Sequence, residues 1–262
     1  MDSPLAGLPP PAPETLHPAL WRAHQLGRAH DAAVPTGFAA LDAELPGHGW
    51  PRRVLTELLL PHAGVGEMRL LAPALAAMAG AAPPAARSLM LFDPPARPSA
   101  AALAALGLDP QAVIVVHGRD GAHGARHLLS SADLLWALEQ ALKSGHVGAV
   151  LAWLPARLRA DALRRLQLAA QAHDGPAFLF RDIEARARPS PAPLRLALHS
   201  SGADGVALQL LKRRGPALAR PLRLALPPVL APLPRARAEA ALCLAQARQA
   251  AASAPLAAAL PG

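Results

Sequence analysis

Five short runs in this chain, "RVLTELLL" (53–60), "RSLMLF" (87–92), "AVIVVHG" (112–118), "HVGAVLAWL" (146–154) and "PAFLFRD" (176–182), are apolar at successive positions and not at alternate ones. A strand with one wet face alternates. A strand of a parallel sheet need not, because helices cover both of its sides. Helical patterns fall between the runs. After Gly66, "EMRLLAPALAAMAG" sets Leu70, Ala74 and Met78 four apart, with Leu71 and Leu75 widening the stripe. "SSADLLWALEQALKSG" starts at a Ser131 cap, stops at Gly145 and groups Leu134, Leu138 and Leu142; "RLRADALRRLQLAAQA" groups Leu158, Ala162 and Leu166. Strand and helix in alternation predict a doubly wound α/β domain with a mainly parallel central sheet, whose ligands would sit at the carboxyl ends of the strands.

The ends of the chain read differently. Residues 1–16 are rich in Pro, Ala and Gly without sustained periodicity, and are expected to be disordered. Residues 233–262 form an alanine-rich tail in which a helix is expected from Arg235 to near Ala252, which leaves 17–232 as the domain. The start lacks the basic residues and unbroken apolar stretch of a signal peptide, and no long uncharged apolar run follows, so a cytoplasmic protein is expected. Cys243 is the single cysteine and no Cys/His cluster has zinc spacing, so neither a disulfide nor a metal is expected.

Net charge is +8, and its location says more than its size. From Leu151 to Arg223 there are 13 Arg/Lys and five Asp/Glu, whereas the rest of the chain has 13 of each. Such a concentration suits a face that meets nucleic acid or an acidic partner. It also suits a solvated arginine-rich surface, because this chain has 24 arginines and only two lysines, and arginine is its default polar residue.

The stretch "LPHAGVGEMRLLAP" (60–73) lies between a predicted strand and a predicted helix, where a phosphate loop belongs. In G-x-x-x-x-G-K-[ST], glycines let backbone N–H groups close around phosphate oxygens, lysine neutralises the outer phosphates and the hydroxyl holds magnesium. With Gly66 as the second glycine, Pro61 takes the first position, Glu67 the lysine and Met68 the hydroxyl; Gly64 remains between them. Pro61 has no N–H to offer, and Glu67 sets a carboxylate against the phosphates. The magnesium-binding aspartate expected at the end of the fourth run is replaced by Trp153, which reads as a core or interface residue, and Asp93 stands before two prolines without a glutamate to orient water. Ser130, Ser131, Ser200 and Ser201 lie outside any nucleophile elbow. His62, His117, His123, His127 and His146 are scattered singly, and would form a site only if the fold brought them together. No catalytic residues, cofactor or enzymatic activity are therefore expected. The alternative is an atypical ATPase in which Arg69 replaces the missing lysine.

"VPTGFAALDAELPGHGWPRRVLTELLLPHAGVGE" resembles the approach to a RecA-type core, a "TG…LD…L…GG…G" stretch ahead of the first strand. With "HPALWRAHQLG", "WALEQALKSG", "GAVLAWL", "LRRLQLAAQ", "AFLFR", "PAPLRLAL" and "LLKRRG" in that order, residues 17–226 resemble the ImuA-type translesion-synthesis accessory proteins, a SulA-like, RecA-like family. His48 departs from a turn that commonly reads Gly-Gly-Gly, leaving Gly47 and Gly49 to supply unusual backbone angles. The resemblance implies a RecA-like core with a degenerate phosphate loop and no working ATPase. It implies a role in damage-induced (SOS) mutagenesis as partner of a Y-family polymerase-like protein and an error-prone DNA polymerase. The family's other label implies an alternative, inhibition of cell division.

Two basic stretches are the candidate contacts. "KRRG" follows the run "VALQLL"; in RecA-type proteins a similar basic pair reaches across the filament interface, so Lys212, Arg213 and Arg214 are expected to face a RecA-type protomer or to be solvated. Arg181, Arg186 and Arg188 in "RDIEARARPSP" stand where RecA-type folds place a DNA-binding loop. Without an aromatic residue to stack on bases, weak non-specific contact with DNA phosphates is the most that loop predicts.

Overall fold

A computed structural model of the chain describes residues 33–79, 87–118, 131–155, 157–215, 218 and 220–228, with Cys243 alone beyond them. The N-terminal segment, the "HPALWRAHQLG" motif, the tail helix expected from Arg235, and His123, His127 and Ser130 lie outside the described residues.

All five apolar runs are strands: β1 (Leu55–Leu60), β2 (Ser88–Phe92), β3 (Val113–Val116), β4 (Val147–Trp153) and β5 (Ala177–Asp182). Three more follow, β6 (Leu194–Ser200), β7 (Gly205–Lys212) and β8 (Leu222–Ala225). They form one sheet in the order β3-β2-β4-β5-β1-β6-β7-β8. Strands β1 to β6 pair in parallel, and β7 and β8 turn back antiparallel at one edge. The sheet is thus mixed but mostly parallel, as the run pattern predicts. Among the described residues the helices are α1 (Ala39–Asp42), α2 (Glu67–Ala79), α3 (Ala100–Ala105), α4 (Ser131–Lys143) and α5 (Ala160–Ala170), with 3-10 turns at Pro110–Ala112 and Ile183–Ala187.

Strand β1 is buried along its whole length, and its side chains feed two cores. On one face Leu58 and Leu60 meet Leu70, Leu71 and Leu75 of α2, Leu103 of α3, and Trp50. On the other, Leu55 joins Leu134, Leu138 and Leu142 of α4 with Leu163 and Leu166 of α5. Each such leucine contributes roughly 1.5–3 kcal/mol on leaving water, and burial on both faces explains why β1 shows no alternation. Trp50 is fully buried, edge-on to Phe178 of β5 with ring centroids 5.2 Å apart.

The approach turn "PGHGW" settles differently from its expected form. Gly47 takes φ +80°, but His48 itself takes φ +58°, a region costly for a residue with a Cβ. Gly49 serves close approach instead: a Cβ there would lie 2.4 Å from the Val34 carbonyl oxygen.

Candidate functional site

Strand β1 stands between β5 and β6, and its carboxyl end turns directly into α2. Pro61 is exposed, Val65 is buried, and Met68 packs against the main core. Gly64 and Gly66 hold φ values of +83° and +112°, which keep the turn tight with their amides facing inward. Those amides are already engaged. The Glu67 carboxylate, only 3% exposed, accepts from Gly64 N through Oε1 at 2.8 Å and from Gly66 N through Oε2 at 3.1 Å. A carboxylate at the first residue of a helix also meets the positive end of the helix dipole, so the arrangement is self-consistent. The sequence places Glu67 at the lysine position; the fold bends its side chain back into the turn.

Arg69 is committed elsewhere. Its guanidinium donates to the Ala203 and Pro227 carbonyls at 2.9 and 2.7 Å and pairs with Asp204 at 2.5 Å, in the β6–β7 turn and just after β8 at the antiparallel edge. Arg69, the residue offered as a substitute lysine, thus points to the antiparallel edge. Leu226, next to these carbonyls, lies over the turn: a Cβ on Gly66 would come within 2.7 Å of its Cδ1.

Trp153 ends β4 and stacks on Phe180 of β5, with centroids 4.5 Å apart and planes inclined by 28°. It borders an open cleft of about 380 Å³ at the carboxyl ends of β2 and β4, lined also by Asp93, Ser131, Leu134, Leu154 and Leu158. Asp93 is in a left-handed conformation (φ +51°) and its carboxylate accepts from Gly118 N at 3.1 Å. Its role is to tie the end of β2 to the end of β3.

The candidate basic contacts separate into buried and exposed groups. Arg181 is 3% exposed, inside the sheet, with its guanidinium 2.5 Å from Glu57 Oε1. That excludes it from a DNA-contacting loop. Arg195 of β6 donates to the other Glu57 oxygen and to the Ala185 carbonyl, so one carboxylate on β1 joins β5 and β6. Arg186 is exposed and Arg188 half-buried, on and just after the Ile183–Ala187 turn. Lys212 donates to the Ser190 carbonyl at 3.0 Å, Arg213 is held by Glu44 at 2.8 Å, and Arg214 is exposed. The Glu57 pair was missed by sequence reading. Its signal is a charge next to leucine or phenylalanine inside each of three apolar runs: Glu57 in "LTELLL", Arg181 in "AFLFRD" and Arg195 in "LRLALHS".

Of the scattered histidines, His62 and His117 follow strands four places apart in the sheet order, and His146 precedes β4 at the opposite end, so the fold does not bring these three together. Among the described residues no group of His, Cys, Asp and Glu has a geometry that would hold a metal, and no helix is long and apolar enough to cross a membrane. No protein-family model matches the chain, and no curated protein matches it.

Proposed function

We propose that this chain is a non-catalytic, RecA-like accessory protein of translesion DNA synthesis. It acts in the cytoplasm, in damage-induced mutagenesis, as an adaptor for a Y-family polymerase-like protein and an error-prone DNA polymerase, with a RecA filament as a further partner. The observation that carries the non-catalytic part is Glu67, whose carboxylate takes the amides of Gly64 and Gly66. In a working phosphate loop those groups cradle phosphate. A nucleotide would have to displace a buried, hydrogen-bonded carboxylate and bring its own negative charge beside it, which a low-dielectric site opposes strongly. Arg69 is tied to the antiparallel edge and does not take the lysine's place. A strand–turn–helix unit on a mostly parallel sheet supports the RecA-like reading, and the ordered motif set over residues 17–226 supports the family role. Affinity purification from cells with damaged DNA tests that role. The Y-family polymerase-like protein and the error-prone polymerase should co-purify; recovery of neither contradicts the adaptor assignment.

A further inference from the structure

Cations gather at the amino-terminal end of this sheet, which is not the end where an α/β fold usually binds its ligands. Ligands of such folds bind at the carboxyl ends of strands. Here that end carries both signs: Glu67 after β1, Asp93 after β2, Asp182 at the end of β5 with Glu184 beyond it, and Asp204 in the turn into β7, beside Arg97 after β2 and Arg157 and Arg159 after β4. The opposite end carries cations. Arg52 and Arg53 precede β1, Arg87 precedes β2, and Lys212 ends β7, opposite Arg195 near the start of β6, with Arg213 and Arg214 following.

Only two carboxylates answer this row from β2 to β7 among the described residues. Asp174, at the foot of β5, is shared by Arg53 at 2.7 Å and Arg87 at 3.8 Å, while Arg52 donates to its backbone carbonyl at 3.0 Å. Glu44 holds Arg213. Lys212 rests on a carbonyl and Arg214 is exposed, and the side chains of Arg53 and Arg87 are 49% and 36% exposed, so the row faces water. Five strand spacings separate β2 from β7, so the row runs for about 24 Å. Guanidinium forks spread along a line fit successive phosphates.

We infer that this amino-terminal rim of the sheet, made by Arg52, Arg53, Arg87, Lys212 and Arg214, binds the phosphate backbone of nucleic acid. An acidic protein is the less fitting partner, because protein interfaces have an apolar centre and the rim shows none among the described residues. The exposed large apolar side chains among the described residues, Ile114, Trp136 and Leu168, lie on β3, α4 and α5. The rim offers no aromatic ring to stack on bases, so binding is non-specific in sequence and electrostatic in origin. The inference goes beyond the adaptor role: it relocates the nucleic-acid contact from the 181–188 loop to the opposite end of the sheet and adds Arg52, Arg53 and Arg87.

Binding of a labelled single-stranded oligodeoxynucleotide across a salt series tests it, on the full chain. Five phosphate contacts give a log–log slope of about −3.5, a loss of roughly 100-fold between about 50 and about 200 mM salt. The variant Arg87→Gln/Lys212→Gln/Arg214→Gln, with a thermal melt to show that it folds, should bind more weakly with a slope of about −1.4. Arg87→Lys/Arg214→Lys keeps the charge and should keep the slope. Arg157→Gln/Arg159→Gln/Arg164→Gln, on and before α5, should leave binding unchanged. No binding at about 50 mM salt, an unchanged slope in the rim variant, or loss of binding in the α5 variant overturns the rim. Polyglutamate that competes as well as the oligonucleotide overturns the choice of partner.

Discussion

Glu57 is a single carboxylate between two arginines in the sheet, and all three are buried, Glu57 completely and Arg195 least. Removing it would leave two guanidinium groups buried without their anion, and breaking a buried pair in this way costs about 3–5 kcal/mol. Urea denaturation of Glu57→Ala should show a loss of that size, and a loss under about 1 kcal/mol would mean the arginines re-solvate. Replacing all three, as Glu57→Leu/Arg181→Met/Arg195→Met, should recover most of it, because apolar side chains of similar volume need no desolvation. At this scale the sequence was legible by residue type and not by side-chain direction. Glu67 was identified as the residue that spoils a phosphate loop, but its turn back onto two glycine amides depends on the φ values of Gly64 and Gly66. Arg181 was misread because a charge at the end of a strand looks like the start of a loop. Only register shows that Arg181 lies beside Leu59 and one step from Glu57.

Among the elements, β8 depends on others most visibly. It is four residues long, pairs only with β7, and is joined to the start of α2 by one side chain, Arg69, through the carbonyls of Leu226 and Pro227. Arg69→Ala should therefore raise amide hydrogen exchange in Leu222–Ala225 and around Asp204 while β1 and β5 stay protected. Unchanged exchange in β8 would show that packing of Leu224 and Leu226 suffices without the staple. The legibility of elements follows the same physics. Runs β1, β2, β4 and β5 and helices α2, α4 and α5 declare themselves because each buries an apolar stripe of its own, and the half-exposed edge strand β3 because its four residues are all β-branched. Strand β8 in "PLRLALPP" alternates Leu222, Leu224 and Leu226 over too few residues between prolines to stand out, and helix α3 in "PSAAALAAL" is nearly all alanine, so the state of each is set by what it packs on.

On the scale of the whole molecule, the arginine surplus between Leu151 and Arg223 is not one face. Arg181 and Arg195 are inside the sheet, Arg159 and Arg165 on α5 pair with Asp161 and Glu139, and Lys212 to Arg214 sit at the foot of β7. Linear charge counts cannot see this, because antiparallel β7 carries its basic end back to the side from which β1 starts. What the fold leaves at the carboxyl ends of the strands is a turn filled by its own glutamate, an aspartate tied to a neighbouring strand, and a tryptophan stacked on a phenylalanine. Each of these groups is engaged within the protein, which supports the proposed reading of a chain that works by contact and not by nucleotide chemistry. Calorimetric titration of the full chain with ATP and magnesium measures that directly. The account predicts no binding heat up to millimolar nucleotide, a free energy weaker than about −4 kcal/mol. Micromolar binding accompanied by phosphate release would contradict it.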